Sequence, residues 1–138
     1  MEKETLKKIL DFIKENEGIA PKHYGSLEWK ILFNEPFTKE DLNVKHSLNL
    51  KGSNILSLPD GLTVNGYLDL SNTWINSLPE GLEVASDLSL DYTMIEALPK
   101  GLKVYGDLHI RHTRLKKYKY DELIEMIKPG FIFGNILS

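Results

Sequence analysis

Leu58-Pro59-Asp60-Gly61-Leu62, Leu78-Pro79-Glu80-Gly81-Leu82 and Leu98-Pro99-Lys100-Gly101-Leu102 are three copies of one pattern, each beginning twenty residues after the last. A repeat period of this size is the signature of a solenoid, in which successive turns of the chain stack on one another. One turn alone cannot bury its apolar side chains, so stability has to come from stacking on its neighbours. The repeat therefore predicts an extended surface rather than one deep pocket.

The repeat continues on both sides of these copies. After Gly61, the apolar residues Leu62, Val64, Leu68 and Leu70 alternate with other residues at period two, which predicts a strand with one buried face. A glycine or serine in the middle of each strand suggests a bend or a close backbone approach. The same apolar positions can be traced from about residue 41 to about residue 120. The sequence thus predicts about four twenty-residue coils with a parallel β-sheet.

The segments that flank the repeats follow other patterns. Thr5 to Glu17 has apolar residues at helical spacing, and Ser26 to Phe33 is apolar and aromatic, which fits either a strand or a short helix. Tyr120 to Lys128 predicts a short helix that ends at a Pro-Gly pair. Terminal segments usually cover the apolar ends of a solenoid. We therefore predict an α/β chain with an N-terminal helical cap or subdomain (1–40), a solenoid (41–120) and a C-terminal cap (121–138).

Length and composition narrow the class of protein. The 138 residues suit one domain, and 41% hydrophobic and 27% charged residues are normal for a globular chain. The net charge of −3 gives no global attraction to nucleic acid, and the absence of cysteine excludes disulfides and thiolate metal sites. The sequence has no signal-peptide pattern and no apolar run of about 18 residues. We expect a soluble, cytoplasmic protein.

The pattern from Leu78-Pro79 through Leu88, Leu90, Thr93 and Ile95 to Leu98-Pro99 resembles a leucine-rich repeat, most closely the short twenty-residue bacterial type. The resemblance covers residues 41–120 and implies a parallel sheet on the concave side of the solenoid. It departs from the family where asparagine is usual, because this chain has Ser53, Thr73, Thr93 and Thr113 there. Asparagine bonds the backbone of neighbouring coils in a ladder, and a threonine hydroxyl offers a shorter version of that bond.

A second resemblance concerns the whole unit, Leu-Pro-X-Gly-Leu-X-Val-X-Gly, which is similar to units in small proteins of bacteriophages and other mobile elements. This resemblance implies a small inhibitor or decoy that blocks a host or defence protein, acting in the host cytoplasm if the chain is phage-encoded.

Residues between the core leucines of each strand are expected to face outward, and adjacent parallel strands lie about 4.8 Å apart, so each such position forms a column of neighbours. The columns place four carboxylates beside a histidine and an arginine. Two hypotheses remain open for this face, a partner-binding surface or a solvated face. The candidate binding residues there are Tyr67, Asp69, Asp87, Asp91, Asp107, His109 and Arg111.

A second candidate surface follows directly after the strands. Trp74, Tyr92 and Met94 form an aromatic and thioether cluster of the kind that anchors protein interfaces. Packing against the edge of the core is the alternative explanation. We expect non-catalytic protein binding through the concave face and this edge, with another protein of unknown identity as the partner. A structural, self-associating protein is a rival function.

Charge and catalytic patterns define the remaining alternatives. Residues 111–119 carry five basic residues and no acid, a run that suits contact with nucleic acid or phosphate but is usually just solvated. His109 and His112 do not have the spacing of a helix-borne zinc site. No serine lies in a nucleophile elbow, and there is no phosphate-binding glycine loop. We therefore expect no enzymatic activity, no metal and no cofactor.

Overall fold

The computed structural model describes residues 30–31 and 38–138, and these form a β-solenoid with two parallel sheets. Each turn contributes one two-residue strand to each sheet. Sheet I consists of β1 (Asn43–Val44), β3 (Thr63–Val64), β5 (Glu83–Val84), β7 (Lys103–Val104) and β9 (Phe131–Ile132). Sheet II consists of β2 (Leu48–Asn49), β4 (Leu68–Asp69), β6 (Leu88–Ser89), β8 (Leu108–His109) and β10 (Ile136–Leu137). We call the two strands of one turn a rung and number the rungs 1 to 5.

The register of the strands confirms a turn of about twenty residues and corrects the number of turns. Val44 pairs with Val64, Val64 with Val84 and Val84 with Val104, so three turns of this length separate rungs 1 to 4. The prediction of four such coils was wrong by one. After rung 4 the chain inserts two helices, and Val104 is paired with Ile132 instead.

A bend divides the alternating segment of each turn into two strands, at the position where a small residue suggested a bend or a close backbone approach. In the second turn the bend lies at Asn65 and Gly66, between β3 and β4. Hydrogen bonds still cross between turns at this position, because Ser86 donates its N–H to the Gly66 carbonyl at 3.2 Å and Gly106 donates to Ser86 at 3.1 Å. The bend separates the strand of sheet I from the strand of sheet II in each turn, and each sheet has its own outer face.

The repeated Leu-Pro-X-Gly pattern forms the corner that leads back to sheet I. Gly81 has φ 75°, in the left-handed region that favours glycine, and the Leu82 N–H donates to the Pro79 carbonyl at 3.4 Å to close the turn. Gly101 repeats this conformation at φ 80°. Leu78 and Leu82, on either side of the corner, are both buried. The most regular part of the sequence is thus scaffold.

The core is one continuous apolar column along the inside of the turns. The repeated leucine, valine and isoleucine positions supply it, and Leu62, Val64, Leu68 and Leu70 are fully buried in the second turn. This confirms the buried face that the alternation predicted. Stacking explains the completeness of the burial, since each apolar row is covered by the rows above and below it.

Thr73, Thr93 and Thr113 are buried but do not build the ladder between coils that the family resemblance implied. Each hydroxyl donates at 2.7 Å to the carbonyl three residues earlier in its own turn, and Ser53 does the same in the first turn. A threonine side chain is shorter than asparagine and is satisfied locally in this geometry. These residues therefore stabilise the corner of a single turn.

Two short helices precede the last rung. A 3₁₀ helix (Arg114–Lys117) is followed by α1 (Tyr120–Ile127), which confirms the predicted C-terminal helix. The Glu122 carboxylate accepts the Lys119 N–H at 2.9 Å at the start of α1, and Leu123 and Ile127 are buried against the solenoid. The chain then returns to both sheets as β9 and β10. The segment predicted as a C-terminal cap thus includes a fifth rung.

The N-terminal boundary of the solenoid is a hydrogen-bonded turn. The Thr38 N–H donates to Asp41 Oδ2 at 2.7 Å, and the Asp41 N–H donates to the Thr38 hydroxyl at 3.3 Å. Lys30 is helical and forms an ion pair of 2.6 Å with the same carboxylate, while Ile31 packs against the core. Lys30 lowers the pKa of Asp41, and the Thr38 N–H adds to this effect. The rest of the predicted 1–40 cap, with the Thr5–Glu17 helix, lies outside the described residues except for 38–40.

No helix among the described residues has the length and apolar character required to span a bilayer.

Candidate functional site

A shallow groove of about 440 Å³ lies on the outer face of sheet II. It extends over rungs 1 to 4, because its lining runs from Lys51 in the first turn to His109 and Arg111 in the fourth. Six residues predicted from the sequence to form a binding face line this groove. They are Tyr67, Asp69, Asp87, Asp91, His109 and Arg111.

The predicted columns are confirmed by the strand register. Asn49 pairs with Asp69, Asp69 with Ser89 and Ser89 with His109, so these residues stand one above another along the groove. Ser89 and Asp69 are half-buried, whereas Tyr67 remains 43% exposed. Tyr67 is therefore the large side chain that this face offers to a partner.

Asp87 and Asp91 of the groove, and Asp107, which was predicted for this face but does not line the groove, also have a structural function that the sequence did not reveal. Asp87 Oδ1 accepts the N–H of Asp107 in the next turn at 2.8 Å, and Asp107 Oδ1 accepts the N–H of Asn135 at 2.8 Å. Asp91 Oδ1 accepts the Arg111 N–H at 2.7 Å. Charge-assisted bonds of this kind are stronger than neutral ones. One oxygen of each carboxylate thus holds the adjacent turn, and the other oxygen remains for further contacts.

We call a side chain a cap when it accepts the backbone N–H that directly follows the bend in the next turn. Wherever a turn provides such a cap, the bend residue of the next turn is glycine. A Cβ on Gly106 would lie 2.3 Å from Asp87 Oδ1, and a Cβ on Gly66 would lie 2.4 Å from the Ser47 hydroxyl, which accepts the Tyr67 N–H. Ser86 is the exception, and the residue beneath it is Tyr67, whose side chain supplies no such cap. In the sequence, Gly66 and Gly106 each lie nineteen residues after the residue that provides the cap, so the pairing could have been predicted from this spacing.

Charges of both signs alternate along the groove. Arg111 Nη1 lies 3.7 Å from Asp91 Oδ2, and His109 Nε2 lies 4.0 Å from Asp87 Oδ2. The Asp87 and Arg111 side chains are each 50% exposed, so both can also contact a partner. Asp69 is satisfied within its own turn, since it accepts the N–H and the hydroxyl of Ser71. The face is a mixed-charge surface rather than a purely acidic patch.

The second predicted surface lies at the turn that follows sheet II. Trp74 is 62% exposed, Tyr92 56% and Met94 48%, so packing against the core does not account for them. Tyr92 stacks on His112 with ring centroids 4.4 Å apart. We call Trp74, Tyr92, Met94 and His112 the aromatic edge.

Tyr92 and His112 adopt backbone conformations that are unfavourable for their residue types. Their φ angles are 58° and 56°, in the left-handed region, where Gly52 and Asn72 stand in the first two turns. Non-glycine residues other than asparagine and aspartate seldom adopt this conformation, and strain of this kind clusters at functional sites. The chain therefore displays two aromatic rings at positions where glycine or asparagine fits better.

The basic segment 111–119 is partly neutralised within the chain. Arg111 pairs with Asp91, and Arg114 forms an ion pair with Glu96. Lys117 Nζ lies 5.1 Å from the centroid of the Tyr118 ring. These contacts favour a solvated surface paired with the neighbouring acidic turns over a phosphate-binding run.

A cluster of aromatic residues on sheet I was not anticipated. Tyr105 packs edge-on against Phe131 and Phe133, with ring centroids 5.1 and 5.3 Å away, and the two phenylalanines stack at 4.4 Å. The signal was present, because Phe131-Ile132-Phe133-Gly134-Asn135-Ile136 repeats the strand pattern of Lys103-Val104-Tyr105-Gly106-Asp107-Leu108. This last copy lies 28 residues after the one before it, so a twenty-residue period does not predict it.

Within the part of the chain that the structure describes, no three His, Asp or Glu side chains are grouped so that they could hold a metal ion.

No protein-family model matches the chain, and searches of curated proteins and of solved structures return no match.

Proposed function

We propose that the chain is a non-catalytic binding protein that takes a partner protein on the outer face of sheet II, with the aromatic edge as a second contact. The observation that supports this most strongly is that six residues predicted to form a binding face line one groove, and only Asp87 has the same residue, Asp107, at the equivalent position of another turn. The scaffold positions repeat closely, whereas Tyr67, Asp69, His109 and Arg111 differ from their counterparts in other turns.

The polar and charged groups of the groove indicate what kind of surface a partner must present. Asp87 Oδ2, the Ser89 hydroxyl, Lys51 and Arg111 offer acceptors and donors within one face, so a complementary surface carries both signs of charge. Tyr67 and the aromatic edge supply the apolar contacts that usually provide most of the binding free energy in an interface. The leucine-rich-repeat resemblance supports the same use of an extended sheet face.

The resemblance to mobile-element proteins extends the proposal to a specific role. We propose that the partner is a host or defence protein and that binding blocks it, with no reaction catalysed by this chain. The support for this role is the similarity of the Leu-Pro-X-Gly-Leu-X-Val-X-Gly units alone.

The test is comparative affinity capture from the source cell followed by mass spectrometry. The groove variant is Lys51→Glu/Tyr67→Ser, because neither side chain caps another turn. The control is Lys45→Glu/Tyr120→Ser, which changes charge and tyrosine content equally on other surfaces. We expect a protein that the wild type and the control retain and that the groove variant loses. Equal retention by all three would contradict binding through sheet II.

Aspartate reversals do not suit this test. Asp87, Asp91 and Asp107 each hold a backbone amide, so reversing them would weaken the stacking of the turns as well as any binding.

A further inference from the structure

The outer face of sheet I carries an exposed apolar cluster that the proposed function does not use. Phe133 is 68% exposed and Tyr105 42% exposed, and both contact the half-buried Phe131. Contiguous exposed aromatic residues on a folded surface mark sites of association. The residues lie on rungs 4 and 5 of sheet I, and none of the three lines the groove on sheet II.

The residues beside this cluster are arranged in complementary pairs. Glu83 and Lys103 are register partners on rungs 3 and 4, so an acid and a base stand side by side. Two residues further along the chain, the small Ala85 beside rung 3 is followed by the large Tyr105 beside rung 4. The Tyr105 hydroxyl donates to Glu83 Oε1 at 3.4 Å, which places the acid and the ring in one patch.

We propose that sheet I is a homodimer interface in which two copies pack face to face about a two-fold axis. The axis runs parallel to the strands and passes between rungs 3 and 4. A two-fold interface brings residue i against residue j and residue j against residue i. Glu83 then opposes Lys103 of the second copy, and Ala85 leaves room for Tyr105 of the second copy. Each pair forms twice.

The same axis places rung 5 against rung 2. Phe131 then opposes Thr63 of the second copy and Phe133 opposes Asn65, so the aromatic rings are covered by uncharged residues. Face-to-face sheets pack about 10 Å apart with interdigitated side chains, which suits the alternation of Ala85 and Tyr105. The charge complementarity of the patch with itself favours a second copy over an unrelated partner.

Charge-reversal variants analysed by sedimentation velocity test the arrangement. We expect the wild type to dimerise with concentration, and Glu83→Lys and Lys103→Glu each to be monomeric alone, because both charge contacts become repulsive. An equimolar mixture of the two single variants should form a heterodimer, since each interface pair then joins a lysine to a glutamate. If each variant were monomeric only because like charges on neighbouring rungs of the same chain repel each other, mixing the two variants would not restore association.

Phe133→Ser supplies a second, uncharged variant. It should shift the wild-type monomer–dimer equilibrium toward monomer, while the loss of its ring contacts with Phe131 and Tyr105 should lower the urea midpoint of dilute protein only slightly. A wild type that remains monomeric up to about 1 mM would overturn the proposal. A wild-type dimer would overturn it equally if Phe133→Ser left the dimer intact or if the two charge variants failed to associate on mixing. The partner-capture result does not bear on this outcome, because the groove lies on sheet II.

Discussion

The residues of the bend illustrate how one side chain determines the identity of another in the next turn. Where Ser47, Asp87 or Asp107 caps an amide of the following turn, the bend residue of that turn is Gly66, Gly106 or Gly134. A Cβ at these glycines would meet the cap and the backbone below it at distances that real Cβ atoms essentially never show. Position 86, where Tyr67 beneath it makes no cap, carries serine instead of glycine.

Gly106→Ala tests this rule. The added Cβ would lie 2.7 Å from the Ser86 carbonyl carbon and 2.8 Å from the Asp87 nitrogen, and backbone atoms cannot rotate away. We expect a loss of about 1–3 kcal/mol in the free energy of unfolding by urea denaturation, as for other overpacked sites. Ser86→Ala is the matched control and should change stability by less than about 0.5 kcal/mol. Equal effects of the two substitutions would refute the rule.

Tyr92 provides a second test at the residue scale, through a comparison of Tyr92→Gly with Tyr92→Ala. Both remove the ring and its stack on His112, so they differ only in the backbone preference at φ 58°. At most positions alanine is the more stable residue, but at positive φ glycine should be favoured by about 1 kcal/mol. Urea denaturation of the pair measures the difference. If alanine proves more stable, Tyr92 does not adopt the left-handed conformation.

At the scale of elements, the last part of the chain combines two roles. The 3₁₀ helix and α1 interrupt the repeat, and β9 and β10 then resume it on both sheets. The helix was predictable from Leu123, Ile124, Met126 and Ile127 at helical spacing. The fifth rung was harder to predict, because the inserted helices replace the Leu-Pro pattern that precedes the other rungs. Only its strand pattern remains in the sequence.

Ile127→Ala tests whether α1 belongs to the core. Ile127 is fully buried, so its truncation should leave a cavity and cost about 2–5 kcal/mol in urea denaturation. Glu125→Ala on the same helix removes only an exposed ion pair with Lys128 and should cost less than about 1 kcal/mol. A small effect of Ile127→Ala would mean that α1 does not pack as described.

The Thr38–Asp41 turn predicts a dependence of stability on pH. Lys30 and the Thr38 N–H lower the pKa of Asp41 below its ordinary value of 3.8. A lowered carboxylate pKa adds stability above pH 3.8, and this contribution is lost as the pH falls through the folded-state pKa. Wild type should therefore be more stable than Asp41→Asn at pH 6, with the difference shrinking toward pH 2. A difference that stays constant across this range would contradict the prediction.

For the whole molecule, the sequence predicted the scaffold far better than its outer surfaces. Leu62, Val64, Leu68 and Leu70 indicated the buried rows because period and apolarity are local properties. Gly66 suggested a bend, but the alternating pattern did not show that the bend divides each turn between two separate sheets. The repeat spacing predicted Tyr67, Asp87 and Arg111 as surface residues. The hydrogen bond from Asp87 to the next turn could be identified only from atomic distances. The N-terminal prediction remains untested.

Hydroxyl-radical footprinting of the captured complex directly tests binding on sheet II, because the contact residues include tyrosine, tryptophan and methionine, which hydroxyl radicals modify readily. Tyr67 and Tyr120 are 43% and 56% exposed in the free chain, so both should be modified in the absence of partner. We expect the partner to suppress modification of Tyr67 and, at the aromatic edge, of Trp74, while Tyr120 is modified as before. Unchanged modification of Tyr67 in the bound state would contradict binding on sheet II.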